Sequence, residues 1–250
     1  MENKTKYIKG LDGLRALAVV MVLAYHLKIP FAKSGLLGVT VFFVLSGFLI
    51  TRILITEIEE THTIDLKNFW VRRIRRLIPA VLSMAVVIIF VSAVVNRVVF
   101  TKGCKDFVAS VLGFNNWWQI FNKVSYFEAA GAPSPFTHCW SLAIETQFYL
   151  IYPILLLLLA RVVRGRKKRG KVFAFVSVLL AVVSMILMAV LYNPNGDPSR
   201  VYYGTDTRAF SLLIGALAAI QLEYRIIKVR LPRKIWALIG SISLVILTCM

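Results

Sequence analysis

Long uncharged stretches alternate with short charged ones along the whole chain. Several of these stretches approach the ~20 residues that a helix needs to cross a lipid bilayer. They cover residues 34–51, 77–96, 107–122, 146–160, 172–196, 209–222 and 235–250. With a further apolar run at residues 11–27, the pattern predicts an all-α, polytopic transmembrane helix bundle of about seven to eight apolar segments.

The composition supports an integral membrane protein. Of the 250 residues, 58% are hydrophobic and only 17% are charged, and the mean hydropathy is +0.74. The net charge of +18 comes mainly from four basic blocks at the ends of apolar runs, namely 4–9, 72–76, 161–171 and 225–234. This distribution follows the positive-inside rule and favours membrane lipid as a partner over nucleic acid. The three cysteines lack metal-ligand spacing, so we expect no metal.

The basic blocks also predict an orientation. If all four lie in the cytoplasm, the chain is a multi-pass protein of the cell membrane with a cytoplasmic N-terminus. The first span lacks a cleavage site and should be retained. Residues 65–77 form an amphipathic surface helix in this scheme, 107–121 a partial or re-entrant element, and 131–135 a loop. The spans are predicted at 11–27, 35–55, 79–99, 140–159, 172–191, 204–221 and from 235 to residue 250, where we expect the chain to be cut short.

Arg15 and His26 are the strongest candidates for chemistry in the first span. Ten uncharged residues separate them, so they project from one helix face about 16 Å apart along the axis. Ionisable groups at membrane depth are costly and therefore indicate function. The alternative is that Arg15 belongs to the membrane interface and His26 to the loop beyond the helix.

Glu145 is a carboxylate near the start of another predicted span, and His138 precedes it by seven residues, about two helical turns. A buried carboxylate near Arg15 or Arg208 would hold its charge. This pattern fits either a catalytic group or a salt bridge between packed helices.

Two further groups suit ligand binding. An arginine cluster at the cytoplasmic end of the third span suits phosphate groups or, alternatively, anionic lipid; it consists of Arg72, Arg73, Arg75 and Arg76. Tyr203, Asp206 and Arg208 lie at the outer mouth of the span at 204–221. Aromatic and polar groups there suit a sugar acceptor, although tyrosine also belongs to interfacial belts.

Five ordered sequence blocks resemble the membrane acyltransferase-3 family, and within it the bacterial peptidoglycan O-acetyltransferases. They are LDGLR at 11–15 with His26, GVTVFFVLSGFLI at 38–50, RRIRRLIP at 72–79, WSLAIE at 140–145 and YYGTDTRAFS at 202–211. The resemblance implies that residues 1–250 form a transmembrane acyltransferase domain.

The resemblance also implies an enzyme that moves acetyl groups from cytoplasmic acetyl-coenzyme A to a glycan outside the membrane. Arg15, His26 and Glu145 match the family's catalytic positions, with His26 acting as a general base or briefly carrying the acyl group. The four arginines match the family's cytoplasmic motif for the co-substrate. Tyr203, Asp206, Arg208 and His138 are the expected acceptor-side residues. Such proteins usually continue into an extracytoplasmic esterase-like domain, which is absent from this sequence.

Two other classes of protein remain open from the residues alone. A multi-pass transporter or flippase of a polar or lipid-linked solute would also place Arg15, His26 and Glu145 along a path. The chain lacks the internal symmetry that many transporters show. A structural membrane scaffold would give no reason for several ionisable groups within spans.

Overall fold

The computed structural model describes residue 8 and residues 10–30, 32–127, 134–227 and 232–249. Of the described residues, 82% are helical and none lies in a strand. The elements are α1 (Gly10–His26), a 3-10 turn (Lys33–Leu36), α2 (Leu37–Thr61), α3 (Leu66–Val95), α4 (Arg97–Val111), α5 (Asn115–Phe121), α6 (Cys139–Val162), α7 (Arg166–Leu191), α8 (Ser199–Tyr203), α9 (Thr205–Tyr224) and α10 (Arg233–Cys249).

The all-α prediction is therefore confirmed. Among the described residues, four helices are long and apolar enough to cross a membrane, at Ser34–Thr61, Leu66–Val95, Cys139–Val162 and Arg166–Leu191. Exposed apolar side chains cover the outer faces of these helices, as expected of a protein that meets lipid. The larger number of about seven to eight segments stays a prediction. The basic block at 4–9, the loop at 131–133 and residue 250 lie outside the described residues, apart from residue 8.

Helices α2 and α9 form the centre of the bundle because glycines bring their backbones into contact. A Cβ added at Gly47 would overlap the carbonyl oxygen of Leu212, and one added at Gly215 would overlap the carbonyl oxygen of Val44. Small residues permit this close approach between membrane helices. The contact fixes the rotation of α2, which decides where its remaining side chains point.

Helix α3 differs from the prediction of a surface helix followed by a separate span that begins at Pro79. It is one helix of 30 residues with Pro79 inside it. Its first turns are anchored in the bundle, because Phe69 is 1% exposed and the indole of Trp70 donates a hydrogen bond to the Tyr149 carbonyl (3.1 Å). These contacts hold the amphipathic segment in line with the span. Proline removes one backbone hydrogen bond but does not end the helix here.

The segment at 107–121, predicted to be a partial or re-entrant element, is divided between two helices. The turn between α4 and α5 contains Gly113, whose φ of +73° suits glycine, and it packs on the side chain of Thr146 in α6. Gly103 contacts Phe136 and Gly113 contacts Thr146, so α4 runs alongside α6 in the same direction. Helix α5 then turns back, and the backbone amide of Tyr126 bonds the Ser199 hydroxyl near the start of α8. The loop after α5 is thus attached to the start of α8.

Candidate active site

Two groups of polar side chains lie at the two ends of α1. The arginine–glutamate cluster contains Arg15, Arg73, Arg76, Glu145, Ser46 and Tyr149. The histidine–aromatic cluster contains His26, Tyr126, His138, Trp140, Tyr202 and Tyr203. The structure therefore joins Arg15 to the glutamate region and His26 to the aromatic region, with α1 connecting them.

Glu145 is held by two hydroxyl groups. The Ser46 hydroxyl donates to Oε1 at 2.7 Å, and the Tyr149 hydroxyl, one turn further along α6, donates to Oε2 at 3.2 Å. The guanidinium groups of Arg15 and Arg76 are close enough to interact electrostatically with the carboxylate. Both of its oxygens thus accept hydrogen bonds from hydroxyl groups, and positive charge lies nearby.

Arg15 has a direct partner that the sequence argument did not consider. Its guanidinium forms a salt bridge of 3.2 Å with Asp12, one turn earlier in α1, and the two side chains are 38% and 50% exposed. Glu145 therefore acts on Arg15 at longer range, without a direct ion pair. An exposed pair of this kind contributes little to stability.

The four arginines of α3 do not all face the same way. Arg72, Arg75 and Arg76 are exposed, whereas Arg73 is half-buried, with its guanidinium over the rings of Phe69 (5.5 Å) and Tyr149 (5.8 Å). Arg73 lies four residues after the buried Phe69 and packs over its ring. The exposed guanidinium groups can bind phosphate oxygens from solvent. Arg73 instead connects this surface to the arginine–glutamate cluster.

His26 presents an unprotonated ring nitrogen to the Tyr126 hydroxyl. Its Nδ1 lies 2.8 Å from the Val22 carbonyl oxygen. Because a carbonyl can only accept a hydrogen bond, Nδ1 carries the proton and Nε2 is the unprotonated nitrogen of the neutral ring. Nε2 lies 3.4 Å from the Tyr126 hydroxyl. Burial raises the pKa of Tyr126, which keeps that hydroxyl protonated and able to donate to Nε2.

His138 precedes α6 and packs edge-on against His26, with ring centroids 4.7 Å apart. Partial burial, and next the neighbouring His26, lower the pKa of His138. A cavity of about 390 Å³ opens beside His26 and is lined by Tyr25, Lys28 and Ile29 among others. His26 is therefore reachable from this end of the bundle, whereas Arg15 does not line that cavity.

The expected acceptor-side residues separate into different surroundings. Tyr203 is fully buried beside Tyr126, and burial raises the pKa of its hydroxyl. Asp206 does not pair with Arg208, because both of its oxygens accept hydrogen bonds from Arg200, at 3.0 and 2.7 Å. Arg208 lies 4.7 Å above the ring of Tyr202 and lines a mainly apolar cavity of about 380 Å³.

A buried amide network attaches α5 to this region. The side-chain nitrogen of Gln147 donates to the Gly113 carbonyl (3.0 Å) and to the Asn116 amide oxygen (2.9 Å), and its oxygen accepts from Trp117 (3.1 Å) and Thr205 (2.6 Å). All four hydrogen bonds of this amide are satisfied inside the bundle. A network of this kind gives a fixed rather than a fluid arrangement, and it holds the start of α9 beside the aromatic residues.

Sequence reasoning missed several of these residues. Tyr149 could have been found, because it lies four residues after Glu145 on a predicted helix and must share its face. Ser46 stands in the apolar block at 38–50, and its bond to a residue 99 positions away follows from no periodicity. Tyr126 stands in a loop, and Arg200 precedes a span, so neither position carried a pattern that separates it from ordinary loop residues.

A family model described as an acyltransferase domain matches residues 8–250 of the chain. Peptidoglycan O-acetyltransferase OatA of Listeria monocytogenes is 46% identical over 244 residues, which cover 98% of this chain and 39% of that protein. The putative peptidoglycan O-acetyltransferase YrhL of Bacillus subtilis is 47% identical over 239 residues, or 94% of this chain and 37% of that protein.

A putative O-acetyltransferase of Staphylococcus aureus strain COL is 43% identical over 217 residues, or 87% of this chain and 35% of that protein. The chain thus spans less than two fifths of the length of each of these relatives. No solved structure matches it.

Proposed function

Because the chain belongs to the acyltransferase-domain family, we propose that it is the membrane part of an O-acyltransferase. The proposed reaction moves an acetyl group from cytoplasmic acetyl-coenzyme A to an extracytoplasmic cell-wall glycan. Peptidoglycan is the favoured acceptor, because two of the relatives carry that substrate in their names.

The proposed topology is multi-pass with a cytoplasmic N-terminus. Helices α1, α9 and α10, of 17, 20 and 17 residues, would join the four long apolar helices to give seven crossings. Arg169 at the start of α7 pairs with Glu59 near the end of α2 (2.8 Å), which brings the basic block at 161–171 beside the end of α2. A cytoplasmic side that carries these basic residues satisfies the positive-inside rule.

The co-substrate would enter at the arginine surface. The exposed guanidinium groups of Arg72, Arg75 and Arg76 suit the phosphates of coenzyme A, because each can form paired hydrogen bonds to phosphate oxygens. Arg73 and Glu145 lie further inside the bundle. The thioester arm would extend from this surface along α1 toward His26, about 16 Å beyond Arg15 along the helix.

His26 would act as the general base. Its Nε2 takes the proton from an attacking hydroxyl group, the new oxygen–carbon bond forms at the acetyl carbonyl, and the sulfur–carbon bond breaks. The departing thiolate then takes up that proton. Arg15 and Glu145 would hold the charge balance on the cytoplasmic side of this path, and Tyr203, Asp206, Arg208 and His138 would form the acceptor side.

The observation that carries the proposal is the His26 geometry within a chain of this family. Its Nδ1 proton is committed to the Val22 carbonyl, so Nε2 is free to accept a proton. Delivery to the wall would need an extracytoplasmic esterase-like domain or partner in addition to these residues. No metal is invoked, and membrane lipid and the glycan acceptor are the remaining proposed partners.

The test is mass analysis of cell-wall sugars from cells that carry the native gene, no gene, or a His26→Asn variant. Asparagine can replace the Nδ1 hydrogen bond but cannot act as a base. General-base loss typically costs about 10²- to 10⁴-fold in rate, so we expect wall acetylation in this variant to match the gene deletion at normal protein abundance.

His62→Asn is the matched control, because His62 lies in the exposed turn after α2. We expect normal acetylation in this variant. Normal acetylation in the His26→Asn strain would remove His26 from the mechanism. Unchanged wall sugars in the deletion strain, together with lost uptake of a solute, would favour a transporter.

A further inference from the structure

Glu145 is held by residues from two different helices, in a geometry that neither helix could provide alone. Ser46 of α2 and Tyr149 of α6 donate to opposite oxygens of the carboxylate, at 2.7 and 3.2 Å. We propose that Ser46 and Tyr149 are positioning residues that orient the Glu145 carboxylate toward the guanidinium groups of Arg15 and Arg76. This inference rests on the proposed function, in which Glu145 takes part in acyl transfer.

The position of Ser46 follows from the packing of α2. Gly47 is pressed against the Leu212 backbone of α9, so α2 cannot rotate in place. Consecutive residues of a helix point about 100° apart, and the neighbouring Ser46 therefore faces α6, where it contacts Glu145. The Ser46 hydroxyl donates to the carboxylate of another helix. The Ser92 hydroxyl, in contrast, donates to the Ile89 carbonyl, one turn away in its own helix.

Tyr149 connects the carboxylate to the arginine surface. Its hydroxyl bonds Glu145, its ring lies 5.8 Å from the Arg73 guanidinium carbon, and its backbone carbonyl accepts the Trp70 indole (3.1 Å). Two residues of α3, Trp70 and Arg73, therefore contact the tyrosine that bonds the glutamate. A movement of Arg73 when phosphate binds nearby would change the setting of Glu145 through the Tyr149 ring.

These contacts assign a role to two side chains that do not reach the reacting atoms. A carboxylate with two hydroxyl donors is fixed in direction, whereas one with a single donor can rotate away from its charged partners. Loss of a hydrogen bond to a charged group typically costs about 10- to 100-fold in an equilibrium or rate. We expect losses of that size to fall on kcat, because coenzyme A binding at the exposed arginines is left intact.

The experiment measures transfer of labelled acetyl from acetyl-coenzyme A by the intact protein in native membranes. Variants Ser46→Ala and Tyr149→Phe are each expected to lower kcat by about 10- to 100-fold with an unchanged KM for acetyl-coenzyme A. Ser46→Thr keeps the hydroxyl group and should restore kcat to within about threefold of wild type.

Matched controls remove hydroxyl groups that do not touch Glu145. Ser92 bonds only its own helix in the contacts above, and Tyr152, three residues after Tyr149, bonds the Ser177 hydroxyl (3.1 Å). Ser92→Ala and Tyr152→Phe should retain kcat. Equal loss in these controls and in the Ser46 and Tyr149 variants, or failure of Ser46→Thr to recover, would overturn the positioning role. No transfer by the wild-type protein would instead overturn the proposed function.

Discussion

A methyl group at Gly47 tests whether α2 and α9 are in backbone contact. A Cβ there would overlap the Leu212 carbonyl oxygen and lie 2.7 Å from its carbonyl carbon and 2.9 Å from its Cα. Carbon atoms in ordinary contact are about 3.5–4.0 Å apart, so in the Gly47→Ala variant the two helices must separate by roughly 1 Å. The neighbouring atoms are backbone, so no flexible side chain can move to make room.

The expected loss of stability follows from these distances. Overpacking a well-packed interior costs about 1–3 kcal/mol, and the upper part of that range applies where backbone meets backbone. Replacing glycine by alanine inside a helix returns up to about 1 kcal/mol. We therefore expect Gly47→Ala to lose about 2 kcal/mol, which corresponds to a fall in Tm of about 4–8 °C for a chain of this length.

The assay is thermal unfolding in detergent, followed by the fluorescence of the five tryptophans. Gly240→Ala is the matched control, because it lies inside α10 with nothing within 4 Å of an added Cβ. This variant should match or slightly exceed the Tm of wild type. A Gly47→Ala protein that is as stable as the Gly240→Ala protein would refute direct backbone contact between α2 and α9.

Two further predictions concern charged and titratable groups. Glu59→Gln should lower the free energy of unfolding by about 3–5 kcal/mol, because Arg169, whose side chain is 10% exposed, would lose its carboxylate partner at 2.8 Å. Denaturant unfolding in detergent measures this loss. An unchanged unfolding midpoint would contradict the prediction. The lowered pKa of His138 has a defined consequence for stability. The unfolded histidine has a pKa of about 6.5, so near that pH the unfolded chain binds more protons than the folded chain. The free energy of unfolding therefore falls as the pH is lowered through about 6.5 toward the folded pKa. The Tm of wild type should thus fall more between pH 7.5 and pH 5 than the Tm of His138→Gln. Parallel plots of Tm against pH for the two proteins would argue against a lowered pKa of His138 in the folded state.

Much of the fold follows from the hydrophobic pattern. The spans predicted at 11–27, 140–159 and 172–191 lie within or overlap α1, α6 and α7, because an apolar run of about 20 residues bounded by charge has few alternatives in a membrane. The pattern was less informative at Pro79, where proline suggested a helix start. Burial of Phe69 beneath the bundle keeps α3 continuous there, and such a tertiary contact leaves no periodic trace in the sequence.

The candidate site was predictable in its residues but not in its pairings. Arg15, His26 and Glu145 stood out because charge is rare inside apolar runs. Their partners could not be derived, since periodicity gives the face of each helix but not which faces meet. The sequence offers Arg15 and Arg208 as possible neighbours of Glu145, whereas its direct partners are the hydroxyl groups of Ser46 and Tyr149. The α2–α9 glycine contact determines that geometry, and it joins residues more than 160 positions apart in the chain.

The central claim is that acetyl groups pass from the arginine side of the bundle to the His26 side. Sealed membrane vesicles of defined orientation test it most directly, with labelled acetyl-coenzyme A added outside. Inside-out vesicles, which expose the cytoplasmic face, should transfer label to glycan in the lumen, and right-side-out vesicles or His26→Asn vesicles should not. Label transferred equally by both orientations, or by His26→Asn vesicles at the wild-type rate, would contradict the account.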